Sequence, residues 1–210
     1  MESNFLGMII NWRLRQAMKH KKIFILLSIV MIWSATVALA NASSSKIKVI
    51  INDTNLGEIG EIIDNSTYLP LRKIGESLHT IVDWNSNTKT ATIYSPNVHM
   101  FIYNSSNGEE TTFGEVKKGF SGKIKVFAQV DNVGLKLNAT KFTIVDPNGK
   151  ETLIQEIKVE KNRDNYWFVT EETSYRFSLS GKYTIRCYMK PENSEEWTIT
   201  SEKLITSSAN

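Results

Sequence analysis

Tyr166, Trp167, Phe168, Tyr188 and Trp197 are the residues of this sequence best suited to holding a ligand. Aromatic side chains stack on the apolar faces of sugars or fill a protein core, and core packing is the commoner use. Tyr166, Trp167 and Trp197 are the candidate ligand platform. The carboxylate pairs Glu109-Glu110, Glu171-Glu172 and Glu195-Glu196 come next. A glycosidase needs two carboxylates converging within about 5–9.5 Å, whereas adjacent strand residues point to opposite faces. These pairs read as solvated loop residues. A Ser-His-Asp site would have to use His79 or His99, and Gly119-Phe120-Ser121-Gly122-Lys123 lacks the second Gly of a nucleophile elbow. No catalytic residue is expected, and the chain reads as a non-enzyme.

Metal chemistry is equally unsupported. Beyond residue 42 the histidines are His79 and His99, with no His-x-His pair and no nearby Cys, so an imidazole-rich copper site cannot be assembled. Neither a metal nor another cofactor is expected. Cys187 is the single cysteine; it cannot form an intramolecular disulfide, and its place in an alternating strand predicts a small buried apolar residue. The mature fold must then rest on its hydrophobic cores.

The charge pattern explains the compartment. Residues 1–42 hold Arg13, Arg15, Lys19, Lys21 and Lys22 against Glu2, and the rest of the chain has 20 basic against 21 acidic residues. A near-neutral chain with interspersed signs lacks the clustered basic face that nucleic acid requires. Lys19, Lys21 and Lys22 precede the apolar run from Ile23 to Trp33, and small residues follow. That order predicts a secretory signal helix over 1–42, with cleavage after Ala42 favoured over Ala40 and Met18 as the expected start of translation. The uncharged stretch from Ile23 to Ser45 is also just long enough to span a bilayer. An uncleaved anchor therefore remains the alternative, with membrane contact only in that case. Secretion or an extracytoplasmic position in the cell envelope is expected either way.

Two β-rich modules should follow. Ile47, Val49 and Ile51 alternate as in a half-buried strand, and Leu71, Ile74 and Leu78 fall on one face of a short helix. Gly75 in its middle weakens that helix by about 1 kcal/mol relative to Ala, so docking must hold it. Ile81, Val82 and Trp84 form the next strand, Asn85 to Lys89 a turn and Thr90 to Tyr94 another strand, onto which Val98 to Tyr103 is expected to return.

Tyr68-Leu69-Pro70-Leu71-Arg72, then Ile74 and Glu76, then Val82-Asp83-Trp84, then Lys89 to Ile93, resemble the copper amine oxidase N-terminal-like (stalk) domain of exported Gram-positive proteins. The resemblance covers Lys48 to Tyr94. It implies an accessory, non-catalytic module in which Pro70, Leu71, Arg72, Glu76 and Trp84 are structural. His79 stands where the family usually has Gly, and Asn52-Asp53-Thr54 where an Asn-Gly hairpin is common. Asn165-Tyr166-Trp167 has Trp in place of the acid of the oxidases' Asn-Tyr-acid cofactor site, a coincidence of sequence.

A polar stretch at 104–110 is the expected linker. From 111 to 207, alternating runs such as Ile124, Val126, Ala128 and Val130 are separated by turns, of which Asp146-Pro147-Asn148-Gly149 is the strongest. About seven strands in this length suit an immunoglobulin-like β-sandwich. Ser180-Gly181-Lys182-Tyr183-Thr184-Ile185 resembles the start of strand F in such folds, with Tyr183 at the corner and Ile185 in the core. The expected fold is thus mainly β: a signal helix, a small α+β stalk module over 46–103, a linker and a sandwich. The expected function is an exported spacer and interaction module of the cell envelope. Its expected partners are another envelope protein or cell-wall polysaccharide, the latter recognised by exposed aromatics.

Overall fold

A computed structural model describes residues 45–106 and 108–209. The expected signal helix over 1–42 lies outside these residues. The described chain is mainly β, with a single short helix, and it falls into two compact units. One contains 45–50 and Asn55–Tyr68, and the other contains Ile51–Thr54 and the chain from Leu69 onward.

The smaller unit is built from β1 (Ser45–Ile51), β2 (Thr54–Ile63) and β3 (Ser66–Tyr68), in the order β1-β2-β3. Ile47, Val49 and Ile51 are half-buried while Lys46, Lys48 and Ile50 are exposed, which is the expected alternation. Both connections are two residues long and have positive φ throughout: Asn52 at 47° and Asp53 at 63°, then Asp64 at 48° and Asn65 at 58°. Two such residues make the turn whose twist matches paired strands, and Asn and Asp tolerate that region best after Gly. This chain therefore makes the hairpin without the family's glycine.

The larger unit opens with α1 (Leu71–Ser77), followed by the hairpin of β4 (Ile81–Asn85) and β5 (Thr90–Tyr94). The expected apolar face of α1 is corrected: Leu71 and Leu78 stay exposed, Ile74 is half-buried, and the buried residue is Gly75, because the helix packs through its backbone there. A Cβ at Gly75 would lie 2.5 Å from Cγ2 of Val82 and 3.0 Å from Oγ1 of Thr80. Absence of a side chain is what lets α1 approach β4. His79 follows the helix with φ 56°; its N–H donates to the carbonyl of Glu76 at 3.2 Å, and the N–H of Thr80 donates to that of Gly75 at 2.9 Å. These two bonds form a Schellman stop with a left-handed residue where Gly is normally favoured.

The remaining strands are β6 (Asn97–Asn104), β7 (Thr111–Thr112), β8 (Glu115–Lys117), β9 (Ser121–Asp131) and β10 (Leu137–Val145). They continue with β11 (Glu151–Lys158), β12 (Tyr166–Val169), β13 (Thr173–Arg176), β14 (Gly181–Pro191) and β15 (Thr198–Ser208). One sheet runs β11-β10-β14-β15-β8 and the other β12-β9-β6-β7, with β13 also on β9. The strand β8 runs parallel to β15 and the other pairs are antiparallel. Inward residues of both sheets meet in one core: Met100, Ile102, Ile124, Val126 and Val130 from one, Phe142, Ile144, Ile185, Met189 and Ile205 from the other. Full burial of each large apolar side chain contributes about 1.5–3 kcal/mol, so this sandwich is held without a disulfide.

The expected pairing of Val98 to Tyr103 with Thr90 to Tyr94 is corrected. That segment is β6, and it pairs along its whole length with β9, from Asn97↔Asp131 to Asn104↔Ile124. Met100 and Ile102 are buried at 6% and 2% exposure opposite Ala128 and Val126. A long, strictly alternating partner buries that face completely, which the five-residue β5 cannot do. The sandwich consequently begins at Asn97, before the polar stretch at 104–110.

Tyr183 and Ile185 lie where the sequence placed them. Tyr183 is 1% exposed; its hydroxyl accepts from the N–H of Leu179 at 2.9 Å and donates to the Leu179 carbonyl at 3.3 Å. Its ring packs edge-on against Phe177 at 4.9 Å. The Asp146–Gly149 turn also forms: Asp146 Oδ1 accepts from the N–H groups of Asn148 and Lys150, and Gly149 has φ 84°.

Candidate functional site

Period-2 alternation separates the members of the expected platform. In β12, Tyr166 and Phe168 point inward and stack at 5.2 Å, while Trp167 points outward and is 68% exposed. The Tyr166 hydroxyl accepts from the N–H of Arg163 at 2.8 Å and donates to Asn162 Oδ1 at 3.2 Å, so it braces a loop. Trp197 lies before β15 at the other sheet, where the ammonium groups of Lys141 and Lys190 stand 4.7 and 6.0 Å from its ring centroid. The three residues do not form one platform. Trp167 instead meets Phe127 edge-on at 5.4 Å, and Phe101 follows at 6.2 Å from Phe127. Together with Val169 these residues make an outward apolar stripe across β12, β9 and β6, with Trp167, Phe101 and Val169 exposed and Phe127 half-buried between them.

The carboxylate pairs are surface partners of cations. Glu110 binds Lys125 at 2.6 Å, Glu172 binds Lys123 at 2.9 Å, Glu195 binds Lys190 at 2.6 Å and Glu196 binds Arg72 at 2.8 Å. Solvent screens contacts of this kind, and they contribute little to stability. Hydrogen bonding to Lys123, and secondarily to Ser105, holds the Glu172 carboxyl below its ordinary value. A denser network lies on the outer face of the β11-β10-β14-β15-β8 sheet. Glu151 accepts from Thr143 and Tyr188, each at 2.6 Å, and Arg186 binds Glu202 at 2.7 Å. Burial pushes the Glu151 carboxyl up, but these two hydrogen bonds, with Arg186 and Lys141 nearby, outweigh it and leave it below the usual carboxylate range.

The other reactive side chains also have structural occupations. Cys187 is fully buried, and burial pushes its thiol up to about 11 despite contacts with Thr200 and Thr140. A thiol with so little thiolate is a poor nucleophile. His79 ends α1, with Nε2 3.8 Å from Glu202, and His99 is exposed on β6. Among the described residues no group of three or more His, Cys, Asp or Glu side chains converges. Ser121 begins β9 after the turn closed by the Phe120 N–H to the Lys117 carbonyl, and no histidine lies in that turn.

Four residues of the stalk signature, Arg72, Val82, Asp83 and Trp84, line one cleft. Pro70 begins α1, its carbonyl accepting from the N–H of Ile74 at 3.1 Å. Arg72, on the first turn, reaches Glu196 in the segment between β14 and β15. Glu76 pairs with Lys73 on the exposed face. Trp84, on β4, is 54% exposed at the wall of a cleft of about 610 Å³ lined also by Arg72, Asp83, Lys136, Glu192 and Glu196. Trp84 was expected to be purely structural, and nothing in its local sequence signals the cleft. The opposite wall comes from residues far along the chain, Leu135 and Lys136 and then Pro191 to Glu196.

Residues 50–117 match the copper amine oxidase N-terminal domain. The matched part is about a third of the chain and holds the whole Pro70 to Ile93 signature. It extends beyond that signature to Lys117, and so includes β6, β7 and β8 of the sandwich sheets. The domain is an accessory, non-catalytic part of those oxidases. No curated protein matches the chain.

Proposed function

We propose that this chain is an exported, non-catalytic protein of a Gram-positive cell envelope that serves as spacer and interaction module. The observation that carries this reading is the joining of an accessory-domain match to a sandwich whose reactive side chains are engaged in structural contacts. The buried Tyr183 corner and the core position of Ile185 support an immunoglobulin-like assignment for the sandwich. The stripe of Trp167, Phe127, Phe101 and Val169 supports an interaction role, because contiguous exposed aromatics mark contact surfaces. Another envelope protein is the first partner class. Wall polysaccharide is the second, favoured by the exposure of more than half of both Trp84 and Trp167.

Localisation tests the reading. Cells producing the chain with a C-terminal tag are separated into medium, envelope and cytosol, and intact cells are treated with protease. The expected outcome is tag in the medium, or in the envelope and open to protease; the second result with an intact N-terminus would indicate an uncleaved anchor. Tag retained in the cytosol and protected from protease refutes export.

A further inference from the structure

We propose that the cleft beside Trp84 binds an oligosaccharide containing protonated amino sugars. This deepens the polysaccharide reading above by naming the site and the sugar class. The three described tryptophans differ in what covers their rings. Trp197 lies under two lysine ammonium groups, and Trp167 is met edge-on by Phe127 at 70°. Trp84 has neither a ring nor an ammonium partner among the described residues, and its cross-strand neighbour is the small Ala91. Its indole is thus free of the ring and ammonium contacts that the other two make, and it is set in a cleft with polar side chains.

The surroundings of that indole select the ligand. A pyranose presents an apolar C–H face to an aromatic ring while its polar groups point outward, so its site needs hydrogen-bonding side chains around the ring. Asp83, Glu192, Asn193 and Arg72 supply them. Four carboxylates, Asp83, Glu192, Glu195 and Glu196, meet Arg72 and Lys136 in the lining, and Lys190 binds Glu195 at 2.6 Å. Arg72 is engaged by Glu196, Lys136 lies 3.8 Å from Glu192, and Asp83 has no ion pair among the described residues. Positive groups on the ligand complement this lining and are attracted by the indole face. The volume of about 610 Å³ lies within the range of about 300–1,000 Å³ common for small-ligand sites.

Titration calorimetry of the full chain with a glucosamine tetramer tests the proposal. Binding is expected, with affinity falling about tenfold in Trp84→Ala, several-fold in Asp83→Asn, and less in Trp84→Phe, which keeps a ring. Trp167→Ala and Trp197→Ala should bind like the parent. The N-acetylated tetramer, which lacks the charge, should bind several-fold more weakly. Circular dichroism and the urea midpoint of each variant confirm that it is folded. Parental affinity in Trp84→Ala overturns the site, as does equal affinity for the two tetramers. Loss of binding in Trp167→Ala alone overturns the cleft while leaving polysaccharide recognition standing on the other face. Failure of the parent to bind either tetramer overturns the proposal without touching export, which localisation decides. Tetralysine competing equally, independently of Trp84, would make the cleft a basic-peptide site and overturn the sugar assignment.

Discussion

Replacing Tyr183 by Phe should remove one hydroxyl from the sandwich and leave everything else in place. That hydroxyl accepts from the N–H of Leu179 at 2.9 Å and donates to its carbonyl at 3.3 Å, while the ring packs on Phe177 and Tyr175. In the variant the Leu179 amide loses its partner. A buried orphaned donor costs about 1–3 kcal/mol. Leu179 is only half-buried and water reaches part of the loop, so about 1–2 kcal/mol is expected. With a urea slope of about 2 kcal/mol/M, the midpoint should fall by about 0.5–1 M with the slope unchanged. Tyr183→Ala also removes the ring, whose loss adds about 3–5 kcal/mol. Hydrogen exchange at Leu179 should accelerate in Tyr183→Phe more than at Ile185, which shares β14 with Tyr183 but is not bonded to the hydroxyl. A Phe variant as stable as the parent, beside a severely destabilised Ala variant, would show that packing alone fixes this corner and would refute the hydrogen-bond argument.

Three further substitutions probe α1 and the outer sheet face. Gly75→Ala gains about 1 kcal/mol of helix propensity, but its Cβ would meet Val82 at 2.5 Å; overpacking of about 1–3 kcal/mol should make the net effect destabilising in urea unfolding. His79→Gly relieves a left-handed non-glycine residue and should raise stability by about 0.5–1 kcal/mol on the same assay, since the exposed contact with Glu202 contributes little. Glu151→Gln should cost about 1 kcal/mol near neutral pH, because the partly exposed carboxylate loses charge-assisted hydrogen bonds. The folded-state value of Glu151 is depressed, so its contribution is present above the ordinary glutamate value of about 4.3. It disappears as pH falls through the lower folded value. Urea midpoints of parent and variant should therefore converge on acidification, and a gap that persists at low pH would contradict the charge assignment.

Local signals in the sequence were sufficient wherever the structure is local. The strand over Ile124 to Val130, the turn at Asp146–Gly149, the burial of Cys187 and the corner at Tyr183 all follow from spacing and residue type, whereas the helix after Pro70 forms but does not bury the Leu71 and Leu78 face that its spacing suggests. The opposite orientations of Tyr166 and Trp167 were also legible, because adjacent strand residues cannot share a face. Other features depend on partners far along the chain. Val98, Met100 and Ile102 specify a strand with one buried face but not which neighbour covers it, and β9 is the longer partner. Gly75 reads as a weakness of the helix until Val82 is seen against it. Asp83 and Trp84 share a cleft with Glu192 and Glu196, and the contact of Arg72 with Glu196 joins those two distant stretches.

That last contact bears on what the matched segment can be by itself. The match ends at Lys117, yet β6 is hydrogen-bonded to β9 and β8 to β15, both beyond that limit. Cutting the chain at Lys117 would expose Met100 and Ile102 and leave the edge of β6 without its partner. Unpaired edges with an apolar face favour association over folding. The matched segment is consequently a sequence relationship that crosses into the sandwich, and it is not an autonomous folding unit in this chain. Trp84 can face Glu192 and Glu196 only while both stretches are joined in one folded body. Any ligand held there would therefore bind the folded larger unit and be lost with either half, which sets it apart from a sugar held on the Trp167 face by the sandwich strands alone.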